Sequence, residues 1–364
     1  MPELTSLVIK SESPLEAVHV GNCPRLSALT LTHAVAKQPG TALQLVDLPG
    51  LHDLNLDGAY RQLGDQSGLG NVTKLRICGA VTSDVVRAIG NCQSLGSLDL
   101  EILDVTGAPI PGIELPEFSM VLSARVRLDT ADAAWLLRLV GRMPALKAFD
   151  LRGRKLMAED LAPLSNCTRL EQIYVRGIDD PGEPLSFLDS MPDLDKCLIL
   201  ACPHVGRVRL TKQSGVREFY FKYGQLDELE IDGAPNLTAV YLGNRAFGYN
   251  DDDAKLPRLD IRTLAARNGA NLRYLMVDAQ ESKIPLTGIA LADCPKLRSL
   301  TLHAPPPETQ PARCRLTVRG IFSQLAQRKL SHLTTDAASL ERLNDSPILR
   351  GGATEDVRIE NADE

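Results

Sequence analysis

Six histidines, eight cysteines and one run of three aspartates are the side chains in this sequence with chemistry to offer. A zinc site needs ligands at short spacings such as Cys-x-x-Cys or His-x-x-x-His. His19, His33, His52, His204, His303 and His332 form no such pair, and neither do the cysteines. Asp251, Asp252 and Asp253 lack the alternate spacing, the glycine and the distal glutamate of a calcium loop, so they read as a solvated acidic tip. Gly68-Leu69-Gly70 lacks the third glycine of a dinucleotide loop and the Gly-Lys-Ser/Thr of a phosphate loop. Cys314 is the one candidate nucleophile of the C-terminal region, but Arg313-Cys314-Arg315-Leu316 alternates like a strand that buries its thiol. No catalytic residue, metal or cofactor is therefore expected; an effector-like activity in the C-terminal region stands as the alternative.

Charge narrows the partners. The net charge is -6, and Arg and Lys are scattered, so no basic face awaits nucleic acid or anionic lipid. No apolar run reaches the length of about 18 residues that a membrane helix needs. The start, Met1-Pro2-Glu3-Leu4-Thr5, lacks the basic and apolar segments of an export signal. A cytoplasmic protein with reduced thiols is expected. The excess of Arg over Lys, with Ala-, Gly- and Asp-rich loops, points to a bacterial source.

Aromatics make up only 4% of the chain, whereas 58 of its 364 residues are Leu, so the core must be aliphatic and regular. One phrase recurs, in which Leu or Val is followed at +3 and +5 by further apolar residues. It stands at Leu4-Leu7-Ile9, Leu26-Leu29-Leu31, Leu51-Leu54-Leu56, Val72-Leu75-Ile77, Leu95-Leu98-Leu100, Leu146-Phe149-Leu151, Leu170-Ile173-Val175, Val216-Phe219-Phe221, Leu237-Val240-Leu242, Leu272-Leu275-Val277 and Leu297-Leu300-Leu302. Through most of the chain the starts lie about 21 to 25 residues apart. The +3 and +5 positions alternate as in a short strand, with the residue between them facing out. Nine prolines, among them Pro24, Pro49, Pro144, Pro192, Pro235 and Pro295, stand two residues before the first aliphatic. Proline there suits the turn into a strand rather than the ladder itself.

The phrase Cys-Pro-x-Leu-x-x-Leu-x-Leu, as at Cys23-Pro24 and Cys294-Pro295, resembles the cysteine-containing variety of the leucine-rich repeat family over roughly residues 2 to 302. The resemblance implies an α/β, β-rich solenoid of short parallel strands with mixed helical and strand return segments. Between Leu194 and Leu242 the phrase recurs at half the period, and again at Leu15-Val18-Val20 and Leu286-Ile289-Leu291, so these coils carry a strand on both faces. That departure is similar to the short bacterial repeats. Helical returns are expected at 83–89 and 130–140, and insertions at 105–120 and 243–256. Residues 1–304 form the expected solenoid, and 305–364 a partly helical capping segment with a frayed tail.

Two rows of outward residues follow from the register. Arg76, Asp99, Arg127 and Asp150 alternate in sign and read as a self-paired charge ladder. Tyr174, Leu198, Tyr220, Tyr241 and Met276 form an exposed apolar and aromatic stripe, with Arg176, Glu218, Lys222 and Asp278 as its polar rim. Such a stripe anchors proteins, because each ring buries a large area with few torsions to freeze. The expected function is a non-enzymatic scaffold that binds a protein through this face, with self-association through the open N-terminal coil as a further expectation.

Overall fold

The computed structural model describes residues 3–34, 40–64, 69–82, 85, 89–105, 117–128, 135–243, 259–278, 288–292, 294–297, 299–303, 315–319, 332–335 and 358–361. They fall into two compact units, residues 1–154 with 166–170, and residues 155–165 with 171–364.

The first unit contains β1 (Ser6–Ser11), β2 (Ala17–Gly21), β3 (Ala28–His33), β4 (Thr41–Val46), β5 (Asp53–Asp57), β6 (Tyr60–Gly64), β7 (Lys74–Val81), β8 (Ser97–Val105), β9 (Ser123–Leu128), α1 (Trp135–Val140) and most of β10 (Ala148–Leu156). One parallel ladder runs β1-β3-β5-β7-β8-β9-β10, and a second runs β2-β4-β6. The second unit contains β11 (Gln172–Pro184), β12 (Lys196–Leu210), β13 (Glu218–Asp232), β14 (Ala239–Gly243), β15 (Leu259–Arg267), β16 (Tyr274–Asp278), β17 (Gly288–Ala292), β18 (Ser299–His303), β19 (Arg315–Arg319), β20 (His332–Thr335) and β21 (Arg358–Asn361). Its front ladder is β11-β12-β13-β14-β16-β18-β20-β21. The back halves of β11, β12 and β13 continue into β15, β17 and β19. Each unit is thus a parallel β-solenoid.

The sequence phrase maps onto a repeated turn. Leu26 donates its amide to Cys23 O at 3.1 Å, Leu51 to Leu48 O at 3.0 Å, Leu95 to Cys92 O at 3.1 Å, Leu146 to Met143 O at 3.0 Å and Leu297 to Cys294 O at 3.2 Å. The proline two residues before each Leu, where present, occupies the second position of this turn, where its fixed φ is already right. The turn swings the first aliphatic inward. Leu26, Leu29 and Leu31, then Leu51, Leu54 and Leu56, then Leu194, Cys197 and Ile199 are all essentially inaccessible to solvent, as the alternation requires. Cys23, Cys92, Cys167 and Cys294 are buried at the turn itself, and the cysteines among the described residues are free thiols.

Strands occupy both faces where the half-period occurs. At the centre they fuse, so that β12 and β13 each run 15 residues around the corner of a coil. Ala201 and Tyr223 take left-handed φ values of 47° and 53° at that corner, and the ladder continues past it from Cys202 to Gly224. In the first unit β4 and β6 add back strands that the phrase search does not find, because Leu43 and Leu45 alternate without a leading aliphatic three residues earlier. After the 243–256 insertion the back ladder resumes as Ile261-x-x-Leu264-x-Ala266, paired with Leu226-x-x-Leu229-x-Ile231. The expected helix near 130–140 is observed from Trp135 to Val140. Most of 83–89, 105–116 and the 243–256 insertion lie outside the described residues, as do Asp251 to Asp253. Within 305–364 the described segments are β19, β20 and β21.

Asp180 is a carboxylate inside this framework, with 4% of its surface exposed. It accepts the amides of Ala158 at 2.8 Å, Gly182 at 2.9 Å and Glu183 at 3.3 Å, tying the turn after β11's bend to the start of a 3-10 segment. Burial pushes its pKa up, but the three amides and the charge of His204 outweigh burial and hold it below the usual carboxylate value. A carboxylate depressed in the folded state contributes stability above its unfolded pKa of about 4 and loses that contribution as pH falls through the folded value. Asp180→Ala should therefore cost about 2–3 kcal/mol at pH 7. Urea denaturation at pH 7 and pH 3 should show the wild type losing more stability on acidification than the variant.

Candidate protein-binding face

The five residues of the expected stripe stand in one row of the second unit. Tyr174 is opposite Leu198, Leu198 opposite Tyr220, Tyr220 opposite Tyr241, and Tyr241 opposite Met276. Strand spacing makes the row roughly 19 Å long. The rings of Tyr220 and Tyr241 stack with centroids 5.0 Å apart and planes 18° apart. The Tyr220 hydroxyl donates to Glu218 Oε2 at 2.7 Å, and Lys196 Nζ lies 5.0 Å from the centre of the same ring.

The stripe is less exposed than its register suggests. Tyr220 retains 8% of its surface, and the other four are half-buried, because side chains 4.8 Å apart in a parallel row cover one another. The rim also differs. Arg176 and Glu218 are half-buried as rim residues can be, but Lys222 and Asp278 are buried, at 4% and 7%. Asp278 pairs with Gly243, and a Cβ on that glycine would lie 2.6 Å from Asp278 Cβ. The aspartate therefore fills the gap that the missing side chain leaves.

Two members of this face escape sequence reasoning. Tyr274 is 43% exposed and shares a row with Glu218 and Ala239. Ala239 is small, so Glu218 and Tyr274 both bear on Tyr241, whose phenol is pushed above its usual value first by burial and then by the Glu218 charge and Tyr274. Lys196 stands in the same row, opposite Glu218. Both sit two residues before a stripe position, a recurrence visible in the sequence but overlooked because only the residue between the paired apolar positions was followed. The result is a half-buried aromatic surface edged by Lys196, Glu218 and Arg217, the last paired with Asp195.

The charge ladder of the first unit needs a correction. Arg76 pairs with Asp99, but Asp99 and Asp150 both pair with Arg125, not Arg127. Arg125 reaches Asp150 at 3.2 Å and Asp99 at 3.7 Å, and Arg76 reaches Asp99 at 3.8 Å. Arg127 belongs to the next row, where it meets Glu101 at 2.6 Å. Val121, Ala124 and Val126 are the inward residues here; Ala124 in an aliphatic position hid the phrase and slid the register by two. Ion pairs also cross between the two rows, Arg76 to Glu101 and Arg152 to Asp150, and such exposed pairs contribute about 0–1 kcal/mol each.

The back face of the second unit pairs His204 with Asp227, Nε2 to Oδ2 at 2.8 Å, while Gln225 Nε2 donates to Asp227 Oδ1 at 2.8 Å and Arg262 lies 3.3 Å from that oxygen. Burial raises the Asp227 pKa, yet the bonds from Gln225 and His204 and the charges of His204 and Arg262 bring it below its usual value. The neighbouring Cys202 thiol is fully buried and pushed up to about 12 by burial, so at neutral pH it is protonated and unfit to serve this histidine as a nucleophile. Among the described residues no group of three His, Cys, Asp or Glu side chains could hold a metal ion, and no helix is long and apolar enough to cross a membrane. Cys314 lies outside the described residues.

No family model matches the sequence, and no curated protein matches it. Among solved structures, the chain is similar to an internalin from Listeria monocytogenes, with a TM-score of 0.41 and 12% identity over 75% of this chain and 80% of that one.

Proposed function

We propose that this chain is a leucine-rich-repeat scaffold, non-enzymatic and cytoplasmic, that binds a protein partner through the front ladder of its second unit. The observation that carries the reading is the in-register row Tyr174, Leu198, Tyr220, Tyr241 and Met276, flanked by the exposed Tyr274. Half-buried rings already held by stacking lose little freedom on docking, which is what an energetic centre requires. Tyr220 acts here as a support for Tyr241, while Tyr241, Tyr274 and Met276 offer the contact surface.

Capture from source-cell lysate tests the reading, comparing wild type with Tyr241→Ala/Tyr274→Ala after circular dichroism shows equal folding. Loss of two aromatic anchors should weaken binding at least about 30-fold. One protein retained by the wild type and lost by the variant is the expected result. Equal retention by both chains contradicts it.

A further inference from the structure

Beside the front strands of the second unit runs a rim whose charges do not balance. Asp195, Arg217, Thr238 and Arg273 form one column there, each amide donating to the carbonyl of the residue one coil earlier, at 3.1, 2.8 and 2.8 Å in turn. Asp195 and Arg217 cancel, with Arg217 Nη2 3.0 Å from Asp195 Oδ2. Thr238 is neutral and donates its hydroxyl to Arg217 O at 3.1 Å. Arg273 is exposed, directly precedes Tyr274, and meets no carboxylate among the described residues. Lys296 of the following coil is exposed as well, and its ammonium donates to a neutral group, Asn271 Oδ1, at 2.6 Å. The acids of the face itself are engaged or inaccessible: Glu218 holds the Tyr220 hydroxyl and lies 3.8 Å from Arg217, and Asp278 is buried. Among the described residues, two positive charges thus stand uncompensated at the Tyr274 end of the face, against the net charge of -6 of the whole chain.

We infer that the segment docking on this face is an acidic stretch of protein with an apolar side chain among its carboxylates; the inference rests on the protein-binding reading above. The two halves of the surface ask for the two halves of such a segment. Tyr241, Tyr274 and Met276 seat the apolar side chain, and neighbouring carboxylates reach Arg273 and Lys296. The guanidinium of Arg273 presents a planar fork that takes a carboxylate through two N–H bonds. A basic segment would meet these cations with like charge, which disfavours it. Two cations are too few to hold a nucleic-acid backbone, whose affinity comes from many phosphate contacts.

A phage-displayed library of random dodecapeptides selected on the full chain tests this, the selected peptides being synthesised and titrated by fluorescence anisotropy. The expected peptides carry aspartate or glutamate around an apolar residue and lose binding to Tyr241→Ala/Tyr274→Ala. Arg273→Glu/Lys296→Glu, at two exposed positions and with an unchanged circular dichroism spectrum, should raise their Kd at least about tenfold, and added salt should weaken binding to the wild type. Peptides that need the two tyrosines but are not acidic, or acidic ones that bind the charge-reversed chain as tightly as wild type, overturn the inference and leave the aromatic face standing as a docking site. A selection that yields no peptide, or only peptides indifferent to Tyr241→Ala/Tyr274→Ala, overturns both.

Discussion

Gly224→Ala should destabilise the second unit by about 3–5 kcal/mol, combining overpacking with backbone strain. Gly224 stands at the corner where β13 turns from the front ladder to the back one, opposite Cys202 of the preceding coil. Its φ is +144°, a value side chains rarely adopt, and a Cβ there would lie 1.9 Å from Cys202 O and 2.8 Å from the carbonyl carbon. Neither atom can retreat without breaking the ladder of β12. The first unit repeats the device at Gly79, where a Cβ would meet Gly58 O at 1.8 Å. Gly96→Ala is the matched control: its φ is ordinary and its nearest neighbour, Thr73 O, would be 3.7 Å away. Urea denaturation followed by circular dichroism should show a large loss for the corner substitution and almost none for the control.

Phe219→Ala should cost about 3–5 kcal/mol through the cavity it leaves. Phe219 is fully buried in the front row between Cys197 of one coil and Val240 of the next, so its ring fills space that the small thiol leaves open. Phe219→Leu keeps most of that volume and should cost about 1 kcal/mol. A similar loss in both variants would mean that the site collapses freely and that the coil is not closely packed.

The turn and the inward aliphatics were legible because they repeat: one buried Leu proves little, but a Pro or Cys at the same offset from many of them fixes the register. The glycines of the corners repeat too, two residues past the last aliphatic in Leu56-Asp57-Gly58 and Ile77-Cys78-Gly79, yet they carry no apolar mark and pass unnoticed beside the leucines. What failed depended on neighbours rather than on the strand itself. Arg125 was missed because Ala124 broke the apolar phrase. The exposure of Tyr220 was overstated because outward positions in a parallel row bury one another, and Asp278 was placed on the rim because nothing in a single strand shows that Gly243 leaves room beside it. His204 finds Asp227 only because one coil length separates them, a relation that local motif spacing does not contain.

The central claim, that a protein docks on the aromatic row of the second unit, is tested most directly by site-specific photo-crosslinking. A benzophenone side chain placed at position 274 and, in a separate chain, at position 125 would be irradiated in source-cell lysate. A single protein adduct from position 274 and none from position 125 is the result this account predicts. Adducts from position 125 alone, or from neither position, would contradict it.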